Sequence, residues 1–166
     1  MTRQQFIDLV AVEQEPLRRF LRGLCGGDGF RADDIAQETL LKAYLSFEGY
    51  EGRARFSTWL FRIAWNCWYD HMKVSSKEAD WLSADDPGTS DRVAAVEEGD
   101  VPIERKYEHE HLYRAIRSLS PPERAVVLLF YMEERSIKEI ASVMSMPLGT
   151  VLSHLSRARR HLKKLM

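Results

Sequence analysis

Between Ser75 and Ile103 the chain loses the apolar spacing of a packed element, and that loss constrains everything on either side. The stretch holds Pro87, Gly88, Gly99 and Pro102. From Glu78 to Glu104 it sets Glu78, Asp80, Asp85, Asp86, Asp91, Glu97, Glu98, Asp100 and Glu104 against a lone Arg92. Such a composition buries too little apolar surface to offset the entropy of ordering it. It reads as a flexible acidic linker, 75–103, leaving residues 1–74 and 104–166 to fold as two small modules. A plain solvated tether is the simplest role for the linker; Trp81 and Leu82 stand out in it as a docking point.

Both flanking halves repeat apolar residues every three to four positions, with no sustained alternation of strand type, so the expected fold class is all-α. In a chain of 166 residues, 45% hydrophobic content is enough for two compact helical cores. In the first half, a helix from about Gln4 to Leu24 aligns Phe6, Leu9, Val10, Leu17, Phe20, Leu21 and Leu24, with Pro16 bending it. The run Cys25–Gly29 ends it. A second helix starts near Ala32, where Asp33 and Asp34 suit the positive end of the helix dipole. After a glycine-containing loop, Ser57 or Thr58 can cap a third helix from Trp59 to about Lys73.

The second half opens at about Glu104 and carries two potential capping boxes, Ser120-Pro-Pro-Glu123 and Ser136-Ile-Lys-Glu139. Ile137, Ile140, Ala141 and Met144 form a stripe on a short helix. A turn follows at Ser145–Gly149, and Thr150 can cap the last helix. There Val151, Leu155, Ala158, Leu162 and Leu165 form an apolar back, opposite Ser153, Ser156, Arg157, Arg160, Lys163 and Lys164. Short helix, tight turn and a helix with a basic face make a helix-turn-helix. The net charge of −1 conceals this basic end behind the acidic middle. Small hydroxyls let the backbone approach a major groove, Arg157 can pair two-pronged with guanine, and the later cations can hold phosphates. The same residues also describe a solvated basic face on a core helix.

Longer motifs narrow the choice. Ile116–Arg124, Glu139-Ile-Ala141, Pro147–Val151 and Ser156–Arg159 resemble the fourth conserved domain of extracytoplasmic-function RNA polymerase sigma factors. Ala32–Tyr44 and Phe56–Asn66 resemble the second conserved domain of the same family, in the right order. The resemblance covers nearly everything but the linker. It implies a sigma domain two over 1–74 and a sigma domain four over 104–166. It further implies binding to core RNA polymerase and direction of that enzyme to specific promoters.

Residue by residue, the resemblance implies that Asp34, Gln37, Glu38, Leu41 and Lys42, on the outer face of the second helix, dock on the clamp helices of the polymerase largest subunit. It also implies a contact with the flap of the second subunit. Phe47, Tyr50, Arg53, Arg55, Phe56, Arg62 and Asn66 are the candidates for holding the melted minus-ten strand, where a pocket and positive charge offset the cost of unstacking. The helical spacing of Trp59, Phe61, Trp65 and Trp68 favours a core role for those rings over stacking platforms. Thr150, Leu152, Ser153, His154, Ser156, Arg157 and Arg160 are the candidates for the minus-thirty-five element. The family usually carries a basic or polar residue where Leu152 stands and an arginine where His154 stands. These departures bear on which upstream sequence is read. Members of the class are commonly held inactive by a dedicated anti-sigma protein, so an anti-sigma factor joins core polymerase and promoter DNA among the candidate partners. The linker is expected to thread toward the polymerase nucleic-acid channel.

Two other classes compete. A stand-alone helix-turn-helix regulator would read its operator without polymerase, and a helical adaptor would have no DNA role. The polar strip of the second helix argues against the first, and the basic face after Thr150 against the second. An enzyme is not expected: there is no phosphate-binding loop, nucleophile elbow or metal-spaced Cys/His set, and His109 and His111 point apart on their helix. No cofactor and no metal are expected. Cys25 and Cys67 form neither a CxxC motif nor a disulfide framework. No segment has the roughly 20 apolar residues of a membrane span, which with the two cysteines suits a reduced cytoplasm; the resemblance implies a bacterial one, at the nucleoid.

Overall fold

A computed structural model describes the backbone of residues 1–81 and 103–165 and the side chains of 1–74 and 109–165. Leu82 and the acidic residues Asp85–Asp100 lie outside the described residues. Among those described, all regular structure is helical. The first module consists of α1 (Arg3–Leu24), α2 (Gly29–Ser46) and α3 (Phe56–Trp81); the second consists of α4 (Ile103–Arg117), α5 (Pro121–Val127), α6 (Ile137–Met144) and α7 (Leu148–Leu165). A π-helical turn, Leu128–Met132, extends α5.

Helix starts depend on which side chain reaches the first free backbone N–H groups, and several differ from expectation. At α1, Thr2 and Gln5 form a reciprocal capping box. α2 begins at Gly29, three residues before Ala32, because Asp28 accepts from the Arg31 N–H. Asp33 and Asp34 therefore lie past the first turn. α3 begins at Phe56, so Ser57 and Thr58 sit buried inside it and not at its cap. α7 begins at Leu148, placing Thr150 within its first turn, where its N–H donates to the Pro147 carbonyl.

The two expected capping boxes close on one side only. Ser120 accepts from the Glu123 N–H at 3.4 Å, but the Glu123 carboxylate meets His161 Nδ1 at 3.0 Å. Ser136 accepts from the Glu139 N–H, while the Glu139 carboxylate takes the Ser136 hydroxyl and Arg135. In both cases the carboxylate finds a side-chain partner in place of the cap backbone.

The apolar stripes pack as their spacing requires. Leu17, Phe20, Leu21 and Leu24 of α1, Ile35 and Ala36 of α2, and Leu60, Phe61, Ala64 and Trp68 of α3 are almost wholly buried. In the second module Val126, Leu129, Ile140, Val143, Val151, Leu155 and Ala158 do the same. These sets merge into one continuous cluster.

The two modules pack directly on each other. Gly23 of α1 admits Leu128 so closely that an added Cβ would fall 2.5 Å from a Leu128 methyl. Arg124, itself buried, donates to the Leu24 carbonyl at 2.8 Å and stacks over Trp68. Arg117 donates to the Gly26 carbonyl at 2.6 Å. The Leu24 carbonyl at the end of α1 and the Gly26 carbonyl in the turn after it are thus satisfied by arginines of the other module.

Candidate polymerase and nucleic-acid interfaces

Three surfaces contain the candidate residues. The first is the outer face of α2. Ile35, Ala36, Thr39 and Ala43 turn inward, which leaves Asp34, Gln37, Leu41 and Lys42 exposed and Glu38 half-buried on the opposite side. Thr39 satisfies its own hydroxyl by donating to the Ile35 carbonyl. Glu38 is held in place from two sides, by His71 Nε2 at 2.6 Å and by Lys42 at 3.2 Å. The His71 hydrogen bond, helped by Lys42, keeps the Glu38 carboxyl below its usual range. Leu41 and Leu45 add large exposed apolar surface to the same helix. The strip is a fixed charge pattern interrupted by leucines.

The second surface is the loop after α2 and the outer side of α3. Phe47 and Phe56 are buried, stacked or edge-on to Phe6 beneath the loop, and do not present their rings to solvent. Tyr50 is half-buried: its ring packs against Phe56 and Trp59 and its hydroxyl donates to the Ala54 carbonyl, closing the loop. Arg53 and Arg55 are exposed, Arg53 beside Glu51 at 3.0 Å. Asn66 faces solvent farther along α3. Phe61, Trp65 and Trp68 are core residues, as their spacing suggested, and Trp59 is partly buried. Arg62 is drawn away from the others. Its guanidinium donates to the carbonyl and hydroxyl of Ser142 on α6.

The third surface is the outer face of α7. Val151, Leu155 and Ala158 anchor the helix on α5 and α6, and Leu162 is partly buried. Leu165 is about half exposed, so the apolar back ends one turn earlier than its sequence arc. Leu152, Ser153, Ser156, Arg157 and Arg160 line one shallow concavity. Thr150 and His154 lie partly buried at its margin, and His154 Nδ1 has no hydrogen-bond partner. Among the described residues no ion pair engages Arg157, Arg160, Lys163 or Lys164, whereas Arg159 donates to the Tyr131 hydroxyl at 2.6 Å. The turn before α7 rests on Ser145, a left-handed residue with φ 53° that ends α6.

Sequence reasoning missed Arg135. It donates to Ser57 Oγ at 2.8 Å, lies 3.9 Å from Glu13 and stacks over Phe61, joining the loop before α6 to α1 and α3. An arginine beside a helix start resembles any surface cation, and nothing local marks its distant partners. The cysteines offer no nucleophile. Burial pushes the Cys25 thiol up to about 12 and raises Cys67 as well, so both remain protonated at neutral pH. Among the described residues no helix is long and apolar enough to cross a membrane.

Known proteins share this arrangement. Residues 9–78 match the Sigma-70 region 2 family and residues 109–162 match Sigma-70, region 4. The chain is 30% identical to the ECF RNA polymerase sigma factor SigW of Bacillus subtilis, over 96% of this chain and 87% of that protein. It is 29% identical to the RNA polymerase sigma-H factor of Pseudomonas aeruginosa, over 82% of this chain and 74% of the other. The fold superposes on the sigma factor RpoE of Bartonella quintana, solved with the anti-sigma factor NepR. That match has a TM-score of 0.76 and 24% identity, covering 98% of this chain and 96% of the other. It also superposes on CnrH, solved with the cytosolic domain of CnrY, at TM-score 0.72 and 21% identity, covering 99% and 88%. Two sigma regions in order, on a chain spanning most of its relatives, separate it from a stand-alone helix-turn-helix regulator. The chain belongs to the extracytoplasmic-function sigma factors, which direct RNA polymerase to specific promoters for transcription initiation.

Proposed function

We propose that this sigma factor divides promoter recognition among the three surfaces. The α2 strip, Asp34, Gln37, Glu38, Leu41 and Lys42, docks on the clamp helices of the polymerase largest subunit, and the second module meets the flap of the second subunit. Tyr50, Arg53, Arg55 and Asn66 follow the melted minus-ten strand, with Phe47 and Phe56 supporting the loop from below. Arg62 joins them once it leaves Ser142. Leu152, Ser153, Ser156, Arg157 and Arg160 enter the major groove of the minus-thirty-five element, with Thr150 and His154 at their edges. The observation that carries this reading is the basic face of α7, where no ion pair engages Arg157, Arg160, Lys163 or Lys164 among the described residues, seated on an apolar back.

An anti-sigma factor is the natural regulatory partner, by analogy with the complexes in which the two structural relatives were solved. The chain acts without catalytic chemistry of its own, at the nucleoid. The test is promoter-directed transcription with purified core polymerase on genomic fragments, comparing wild type with Arg157→Ala and with a Gln37/Glu38 double alanine variant. Defined start sites for wild type, loss of upstream recognition in the first variant and loss of core binding in the second support the division. Tight DNA binding without any association with core polymerase overturns it.

A further inference from the structure

We propose that Leu152 reads a thymine in the upstream promoter element through the C5 methyl group of the base, an inference that rests on α7 being the major-groove helix. Leu152 is 52% exposed, although Val151 and Leu155 on either side of it are buried. One exposed leucine on a protein surface is ordinary. This one is distinguished by its neighbours: it shares a concavity with Ser153, Ser156, Arg157 and Arg160, and Leu148 one turn earlier is exposed to the same degree.

The charge around that concavity selects its occupant. Arg157, Arg160, Lys163 and Lys164 cover the outer face without an acidic partner among the described residues, which suits the phosphates flanking a groove. Inside a major groove a leucine has no donor or acceptor to offer. The one apolar feature on the edges of unmodified base pairs there is the thymine methyl. Ser153 and Ser156 can bond any base edge, and Arg157 suits guanine, so Leu152 adds information that the polar residues lack. Arg157 lies five positions after Leu152, about 7.5 Å along the helix. At about 100° per residue the two side chains also lie about 140° apart around the helix, so the thymine and the guanine belong to different base pairs.

The experiment uses holoenzyme assembled from the full chain and core polymerase. An upstream element is selected from a random duplex library, and each thymine in it is then replaced by deoxyuridine, which removes only the methyl. Wild type should lose roughly three- to five-fold in affinity at one such position, the scale of one buried methyl group. Leu152→Ala should bind more weakly to the thymine duplex and be indifferent to the replacement. Leu152→Met, which keeps an apolar side chain, should retain the methyl dependence. Uniform indifference of wild type to deoxyuridine overturns the proposal, as does a methyl effect that persists in Leu152→Ala. If Arg157→Ala keeps the selected sequence and the affinity unchanged, the assignment of α7 to the groove fails as well. Loss with Arg157→Ala alongside no methyl effect removes only the role of Leu152. Since Leu152 lies half in solvent, its variants should melt with wild type, which checks that the fold is intact.

Discussion

Arg62 of α3 donates from Nε to the Ser142 carbonyl at 3.0 Å and from its terminal nitrogen to the Ser142 hydroxyl at 2.9 Å, tying the first module to the first helix of the helix-turn-helix. A residue placed among the candidates for the melted strand is thereby occupied by the second module. Substituting Arg62→Ala should lower unfolding stability by about 1–2 kcal/mol, the scale of hydrogen bonds from a charged donor in a partly buried site. It should also make the chain more expanded by small-angle scattering. An unchanged radius of gyration with unchanged stability would show that the contact contributes nothing to holding the modules together.

Arg19 of α1 grips Glu133 with two hydrogen bonds, at 2.7 and 3.0 Å. The Glu133 side chain is only 3% exposed, whereas that of Arg19 is 47% exposed. Removing the arginine strands a buried carboxylate, so Arg19→Ala should cost about 1–3 kcal/mol, less than a fully buried pair because Arg19 is half in water. The Arg19→Ala/Glu133→Gln double variant should recover part of that loss. Denaturant unfolding of all four proteins checks the sign of the coupling.

Ser145 adopts a left-handed conformation where its N–H closes the end of α6 on the Ala141 carbonyl. Glycine reaches that region without a Cβ penalty, which outweighs its greater freedom in the unfolded chain. Ser145→Gly should therefore stabilise the protein by about 0.5–1 kcal/mol, a rise of roughly 1–4 °C in melting temperature for a chain of this size. A fall in melting temperature would mean that the serine side chain contributes more to the turn than its backbone costs.

The Glu38 carboxyl is held below its usual 4.5, first by the His71 hydrogen bond and then by Lys42. A depressed native pKa contributes stability that is present above the ordinary value and is lost as pH falls through the native one. The α2 strip should accordingly keep its charge pattern throughout the neutral range and lose it only in acid. His71→Ala should move the Glu38 titration up toward 4.5, measured by carboxyl NMR. No movement would assign the shift to Lys42.

Much of the fold and of the candidate surfaces was legible in the sequence, because periodicity reports which face of a helix is buried. Ile35, Ala36 and Ala43 against Gln37, Leu41 and Lys42 could be sorted that way, as could Val151 and Leu155 against Ser153 and Arg157. What periodicity cannot give is the partner of a residue from another element. Arg124 follows a serine-proline-proline cap and resembles a surface cation. It is buried because Trp68 and the Leu24 carbonyl, far away in sequence, wait for it. Phe47 and Phe56 flank a polar loop, yet Phe6 from α1 covers them. The start of α2 went astray because Asp28, which caps it, lies in the run that reads as the end of the first helix.

The bond from Arg124 to the Leu24 carbonyl joins residues 100 positions apart. Closing so large a loop has an entropic cost that grows only with the logarithm of its length, about 0.6 kcal/mol per doubling. Contour length between the halves is therefore a weak lever on how often they meet. Inserting ten neutral residues after Gly88 should therefore leave the melting temperature nearly unchanged, so added length between the two halves does not part them.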